Sequence, residues 1–271
     1  MTTRLPEADL MISIGPLALA LERLFAVLGI IAFMAAASWI GRRHGKDVDK
    51  AAWRALLVGL VAARLSFVAQ NWPAFAVEPL TVLYVWQGGF SPLIGLVSAA
   101  VALAVSLRRS RALPPLGLAF MGCAGGALAA TALFLAAAQR PLPQGIVLQS
   151  LNGGTSSLDD RMGKPFAINL WATWCPPCQR EMPMMVTEAA RSTVPILLVN
   201  QGEDAARVRA WLEGKRLGSA DVHLDPNQNA AAIGSAGLPA TLFVDSKGVI
   251  RELHVGEISR AALLAGLRNL E

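Results

Sequence analysis

The chain has 271 residues, of which 54% are hydrophobic and 16% charged, and its formal net charge is +5. A chain this apolar is not a single water-soluble domain, and its composition indicates a membrane region. The positive charge does not indicate nucleic-acid binding: residues 1–140 hold twelve basic and six acidic side chains, whereas residues 141–271 hold twelve and thirteen.

Four segments with few or no charges predict membrane-spanning helices in the first half of the chain. They are residues 24–40, 55–69, 88–107 and 116–138. The first has 17 residues and the last has 23, close to the roughly 20 that cross a bilayer core. The second is the weakest because Arg64 interrupts it, although one charge can snorkel to the interface or face other helices.

Charges between the spans predict their orientation. The loop after the first span carries five basic and two acidic residues, and the loop after the third carries three arginines, so both are predicted to be cytoplasmic. Four spans then leave residues 140–271 on the non-cytoplasmic side. A cleaved signal peptide is the alternative for the first span, but the net negative segment before it and Arg42 and Arg43 after it favour an uncleaved helix.

Four short motifs stand out in this half of the chain: Ile14-Gly-Pro-Leu-Ala-Leu19, Gly41-Arg-Arg43, Ala63-Arg-Leu-Ser-Phe-Val68 and Val85-Trp-Gln-Gly-Gly-Phe-Ser91. Together they resemble the first part of the prolipoprotein diacylglyceryl transferase family. The family's histidine–glycine–glycine segment is replaced by Ser91-Pro-Leu-Ile-Gly95, and its Gly-Arg-x-Gly-Asn signature has no match. The resemblance therefore implies a truncated, catalytically inactive relative that anchors the chain, with a retained lipid or partner groove near Arg64.

Proline and glycine in residues 139–145 predict a domain boundary, with a transmembrane domain at residues 1–140 and a second domain at residues 141–271. The second domain alternates strand and helix patterns. Strands are predicted at 146–151, 166–172, 194–201, 221–225, 240–245 and 249–255, and helices at 176–191, at 204–217, from Asn227, and after the cap Ser259. Two βα units followed by a hairpin and a helix predict an α/β fold with a mixed sheet.

The run Trp171-Ala-Thr-Trp-Cys-Pro-Pro-Cys178 holds two of the chain's three cysteines, separated by two prolines and preceded by an apolar strand. The prolines predict the first turn of a helix, whose free N–H groups and dipole would stabilise a Cys175 thiolate. Thiolates attack disulfides, so a redox-active dithiol is predicted. Three alternatives are less favoured. A zinc site would need a second pair of ligands, and a c-type haem site would need histidine in place of Gln179. A static disulfide that closes so small a loop would add little to the stability of the folded protein.

Two further motifs accompany the dithiol, Glu181 just beyond it and Gly237-Leu-Pro-Ala-Thr-Leu-Phe-Val-Asp245. Together with Asn169-Leu-Trp-Ala-Thr-Trp-Cys-Pro-Pro-Cys178, they resemble the TlpA/ResA/CcmG group of membrane-tethered bacterial thiol–disulfide oxidoreductases, which have a thioredoxin fold. The resemblance implies that Cys175 is the nucleophile and that Cys178 resolves the mixed disulfide. It also implies that Pro239 is a cis-proline and that the peptide of Leu238 receives an extended substrate.

Supporting residues around the dithiol follow from the same resemblance. Glu181 lies three residues after Cys178, on the same helical face, where the group has an acid that tunes the thiol pKa and moves protons. Asn169 stands where cytosolic thioredoxins carry a buried aspartate. Because asparagine cannot accept a proton as that aspartate does, Glu181 becomes the stronger candidate for the proton acceptor. Trp171 and Trp174 are expected to pack around the sulfurs, and Trp174 is also a candidate substrate-binding residue.

These observations predict a membrane-anchored periplasmic reductase of protein disulfides in a bacterial inner membrane, with cytochrome or metal-centre cysteines among the candidate substrates. Its direction stays open, because the same dithiol can also oxidise. Cys123 is alone and cannot form an intramembrane disulfide relay, so the resemblance implies a DsbD- or CcdA-type reductant. Membrane lipid is the other expected partner, and no cofactor, metal or nucleic acid is expected. The alternatives are a lipoprotein diacylglyceryl transferase fused to a redox module, or a lipid- or partner-docking protein.

Overall fold

The computed structural model of the protein describes residues 11–14, 17–45, 47–228 and 237–270. The chain divides into two compact units, one built mainly from Leu19–Val85 and Gly89–Ala138 and the other mainly from Gln139–Glu271. The boundary predicted after residue 140 lies close to this division.

The N-terminal unit is helical. Two short strands, β1 (Met11–Ile14) and β2 (Leu17–Ala20), form a separate two-stranded sheet before the helices. The helices are α1 (Leu21–His44), α2 (Asp47–Gln70), α3 (Trp72–Val77), α4 (Pro92–Leu107) and α5 (Leu113–Ala138), with 3-10 turns at Pro79–Leu83 and Val85–Gln87. Among the described residues, the three helices α1, α2 and α5 are long and apolar enough to cross a membrane, which gives the chain the character of a membrane protein.

The second and third predicted spans differ from the structure. The weakest prediction, residues 55–69, belongs to the 24-residue helix α2, in which Arg64 is buried. The third span was predicted from residue 88, but α4 begins at Pro92, because Gly88 and Gly89 have φ values of 79° and 83° that a helix does not allow. The 16 residues of α4 extend about 24 Å, less than the ~30 Å of a bilayer core. The four-span topology therefore stays a prediction.

Glycines allow α2 and α4 to pack closely. A Cβ atom added at Gly95 would lie 2.9 Å from Ala63 Cβ and 3.0 Å from the carbonyl oxygen of Gly59. At Gly59 it would lie 3.0 Å from Ala99 Cβ. Small residues at helix contacts permit this backbone approach in membrane proteins.

Helices α1 and α5 meet in the same way at Gly29. A Cβ added there would lie 2.9 Å from Ala127 Cβ and 3.4 Å from the carbonyl oxygen of Cys123. The third cysteine therefore stands on a helix-packing seam, as the small residues around it predict.

Substituting Gly95 by alanine is expected to destabilise the helical unit by about 1–3 kcal/mol, because the new methyl group would collide with Ala63 and with backbone. Gly122→Ala is the matched control, since a Cβ at this exposed position of α5 meets nothing within 4 Å. Thermal unfolding of the full chain in detergent measures both. Equal unfolding midpoints for the two variants would contradict the close α2–α4 contact.

The second unit is an eight-stranded mixed sheet. Its strands are β3 (Arg140–Pro141), β4 (Val147–Ser150), β5 (Thr155–Ser157), β6 (Phe166–Trp171), β7 (Ile196–Gln201), β8 (Val222–Asp225), β9 (Ala240–Val244) and β10 (Val249–Val255), in the order β3-β10-β9-β6-β7-β8-β4-β5. Strand β7 runs parallel to β6 and β8, whereas β9 runs antiparallel to both β6 and β10. This confirms the predicted α/β fold with a mixed sheet.

Three helices are described with this sheet: α6 (Pro176–Ala189), α7 (Ala205–Lys215) and α8 (Arg260–Arg268). Every residue of β6 and β7 is buried, because one apolar cluster packs on each face of the sheet. Ser259 caps α8, as predicted, with its hydroxyl accepting from the Ala262 N–H. Strands β3 and β5 were not predicted. Asn227 is not helical, and residues 229–236, where most of that predicted helix falls, lie outside the described residues.

Candidate functional site

Cys175 and Cys178 stand where β6 passes into α6. A disulfide joins them, with their Cα atoms 5.2 Å apart. Cys175 is the N-cap of α6, and the backbone N–H of Cys178 donates to its Sγ atom at 3.3 Å. Pro176 and Pro177 occupy the first turn, where helical N–H groups have no internal partner. Once the disulfide opens, this N–H group and the helix dipole favour a thiolate at Cys175.

The two cysteines and the neighbouring tryptophans differ in their exposure. Cys175 is 3% exposed and Cys178 is fully buried. Trp171 is also fully buried and packs on Trp211, with ring centroids 5.5 Å apart. Trp174, by contrast, is 60% exposed. Much of Trp174 therefore faces solvent, and its packing around the sulfurs stays a prediction.

The segment before β9 lies at the same end of the sheet as the cysteines. The Leu238–Pro239 peptide bond is cis, Pro239 is buried and Leu238 is half-buried. Ala240, the first residue of β9, pairs with Leu170 of β6. This register brings the Leu238–Pro239 peptide beside the end of β6, from which the chain continues to Cys175.

Glu181 is buried in α6 with both of its oxygens hydrogen-bonded. Asn169 Nδ2 donates to Oε1 at 2.9 Å, and the Ile258 N–H donates to Oε2 at 2.9 Å. Burial raises the pKa of Glu181 to about 8, although the hydrogen bonds from Ile258 and Asn169 favour the charged form. The charge of Glu257 raises this pKa further and that of Arg180 lowers it. Burial therefore keeps a larger fraction of this carboxyl group protonated at neutral pH than is usual for a glutamate.

A second buried acid, Glu203, was missed from the sequence. It follows β7 and contacts Thr173, two residues before the first cysteine. The available signal was its place after a buried parallel strand, since the carboxyl ends of such strands gather functional side chains. The Ile258 N–H was missed as well, because it lies 77 residues from Glu181 along the chain.

Two family models match this chain. The AhpC/TSA family matches residues 139–253, and the prolipoprotein diacylglyceryl transferase family matches residues 9–143. The two matches meet near the division between the two units, and both resemblances noted in the sequence are confirmed.

Curated relatives match part of the chain. The thiol-disulfide oxidoreductase ResA of Geobacillus thermodenitrificans is 32% identical over 128 residues, which is 46% of this chain and 74% of that protein. The thioredoxin-like protein YneN of Bacillus subtilis is 33% identical, covering 42% of this chain and 69% of YneN. The thiol:disulfide interchange protein DsbE of Pseudomonas fluorescens is 37% identical, covering 36% of this chain and 56% of DsbE. The chain thus spans little more than half the length of this DsbE.

Solved structures are also similar to this chain. MTB dsbF, in mixed oxidized and reduced forms, gives a TM-score of 0.43 at 25% identity and covers 46% of this chain and 95% of its own. The exposed lipoprotein thioredoxin Etrx1 of Streptococcus pneumoniae gives a TM-score of 0.41 at 26% identity. The match covers 46% of this chain and 98% of the Etrx1 chain.

Proposed function

Because this chain belongs to the ResA and DsbE family of thioredoxin-like thiol–disulfide oxidoreductases, we propose that Cys175 and Cys178 are its redox pair and that it reduces protein disulfides from a membrane anchor. The single observation that carries the proposal is the Cys175 sulfur at the N-cap of α6, with the Cys178 N–H donating to it. A thiolate at this position gains both the hydrogen bond and the helix dipole.

In the first step, the Cys175 thiolate attacks one sulfur of a substrate disulfide. The substrate's S–S bond breaks, its other sulfur leaves as a thiolate, and a mixed disulfide forms at Cys175. Cys178 then loses its proton and attacks the Cys175 sulfur, which releases the second substrate thiol. Two electrons have passed to the substrate, and the Cys175–Cys178 disulfide has formed.

We assign the proton transfer to Glu181. It lies one helical turn from Cys178 on α6, and both side chains are buried. With a pKa of about 8, this carboxyl group is mostly protonated at neutral pH, and its ionised fraction, which grows as the pH rises toward 8, can accept the Cys178 proton and return it later. Asn169 and Ile258 hold the group in place through their hydrogen bonds.

The substrate chain would bind along Leu238–Pro239. The backbone before β9 lies at the sheet end that carries the cysteines, which supports its use as the edge for an extended substrate. Trp174 is large, apolar and exposed, so it offers a contact surface beside the reacting sulfur.

The charge pattern of the loops supports an outward-facing catalytic unit on a bacterial inner membrane. A dithiol in that oxidising compartment stays reduced only when electrons are delivered to it. We therefore propose a membrane reductant of the DsbD or CcdA type as the donor. Cytochrome or metal-centre cysteines are the proposed substrates.

The N-terminal unit is proposed to serve as an anchor. The guanidinium of Arg64 donates to the carbonyl oxygens of Thr81 at 2.8 Å, Val82 at 3.1 Å and Gly89 at 2.9 Å. These bonds tie the segment before α4 to helix α2, a structural use of this arginine. They favour anchoring over diacylglyceryl transfer, although a lipid partner for this unit remains part of the proposal.

Equilibration of the full chain with glutathione in detergent tests the direction of the reaction. A reductase is expected to have a potential below about −200 mV, and Cys123→Ala should not change it. A value near that of strong oxidants, about −120 mV, would overturn the reductase assignment.

A further inference from the structure

Glu203 is buried near the cysteines, and the reaction above does not use it. Its Oε2 atom accepts from the Thr173 N–H at 2.6 Å and from Asn200 Nδ2 at 2.8 Å. Its Oε1 atom accepts from the Thr173 hydroxyl at 2.5 Å and pairs with Arg207 Nε at 2.9 Å. One carboxylate thus holds both donors of Thr173.

The remaining polar group of Thr173 is held as well. Its carbonyl oxygen accepts from Gln179 Nε2 at 2.7 Å. The next turn closes when the Cys175 N–H donates to the Ala172 carbonyl oxygen at 3.3 Å. The residues between β6 and the nucleophile are therefore fixed by side chains from the loop after β7 and from α6.

The hydrogen bonds from Thr173 to Glu203 contribute more to holding this turn than the ion pair between Glu203 and Arg207 does. Arg207 is 61% exposed, and exposed pairs contribute little because water and salt screen them. The bonds from Thr173 to the carboxylate are buried and charge-assisted, which makes them stronger than neutral hydrogen bonds. Losing Glu203 would also leave the buried donors of Thr173 without an acceptor.

We propose that Glu203 is a positioning residue that keeps the Cys175 sulfur at the N-cap of α6 in the reduced protein. The inference rests on the proposed redox role of the cysteine pair. In the oxidised protein the disulfide itself ties Cys175 to α6. When that bond opens, the tie is lost and the turn is held by hydrogen bonds, of which Glu203 accepts two.

The positioning role predicts that a change at Glu203 destabilises the reduced protein more than the oxidised protein. In a Cys123→Ala background, Glu203→Gln is expected to shift the equilibrium with glutathione about tenfold toward the disulfide, because the Cys175 thiolate is no longer held beside the Cys178 N–H. The pH midpoint for alkylation of Cys175 by iodoacetamide should rise in parallel. Both are measured on the full chain in detergent. The matched control is Glu213→Gln, an exposed glutamate on α7, which should change neither.

Two threonine variants keep the test decisive if Glu203→Gln does not fold. Thr173→Val removes the hydroxyl bond and retains the backbone bond, so a shift of about threefold is expected. Thr173→Ser keeps the hydroxyl and should recover most of that loss. A purely structural role would lower the unfolding temperature without moving the alkylation midpoint.

Wild-type values in a folded Glu203→Gln protein would overturn the proposal. So would identical values for Thr173→Val and wild type where Glu203→Gln is unfolded. Neither readout uses a protein substrate. Failure of the wild-type chain to reduce any protein disulfide would therefore contradict the proposed function, while the positioning role would still be decided by the glutathione equilibrium.

Discussion

Replacing Cys175 by serine is expected to slow reduction of a model protein disulfide by about 10³-fold or more, because the serine hydroxyl stays protonated and forms no mixed disulfide. The measurement is a single turnover of the pre-reduced full chain, followed by tryptophan fluorescence. Cys123→Ser removes a cysteine from the α1–α5 seam and should react like wild type. A Cys175→Ser protein that kept the wild-type rate would contradict the assignment of the nucleophile.

The complementary variant, Cys178→Ala, should stop the reaction halfway. Without a resolving thiol, the mixed disulfide at Cys175 cannot be displaced internally and accumulates. Non-reducing electrophoresis of membranes from cells expressing the variant should show thiol-sensitive adducts, whose partners identify the substrates. Recovery of no thiol-linked partner would count against the mixed-disulfide mechanism.

The second large effect is expected at Glu181. Glu181→Gln keeps the size of the side chain but removes its exchangeable proton, so resolution of the mixed disulfide should slow by about 10²-fold. The wild-type rate should show an inflection near pH 8, the pKa to which burial raises this carboxyl group. The variant should lack it. An unchanged inflection in Glu181→Gln would assign that titration to another group.

The same carboxyl group should make stability depend on pH. Between its usual pKa of 4.5 and the folded value of about 8, the folded state holds a proton that the unfolded state has lost. Its contribution is therefore complete below pH 4.5 and falls as the pH rises toward 8, by at most about 1.4 kcal/mol per pH unit. Comparison with Glu181→Gln in denaturant titrations isolates this slope from that of His223, whose pKa burial lowers.

The sequence predicted the features that depend on local order. The apolar runs of β6 and β7 and the hairpin between β9 and β10 were recognisable because their patterns are contiguous. Strands β3 and β5 were missed because two or three residues carry no periodicity. The start of α4 was missed because composition alone extends the apolar run back through two glycines whose backbone is not helical.

The site was predictable only as far as its motif extends. The dithiol and Glu181 lie within seven residues, so their shared helix could be inferred. The bonds of Glu203 to Thr173 join residues 30 positions apart, and that of Ile258 to Glu181 joins residues 77 apart. The exposure of Trp174 depends on the turn that precedes α6. Such contacts follow from how the strands are arranged, which no single stretch of sequence specifies.

The unequal burial of the two cysteines bears on how electrons would enter and leave the protein. Cys178 has no accessible surface, and Cys175 is 3% exposed. In the proposed reaction, the electron donor reduces the Cys175–Cys178 disulfide and the substrate disulfide oxidises the resulting dithiol. Both partners must therefore react at the Cys175 sulfur, one after the other. The protein would work as a shuttle with ping-pong kinetics, and an excess of either partner would inhibit the other.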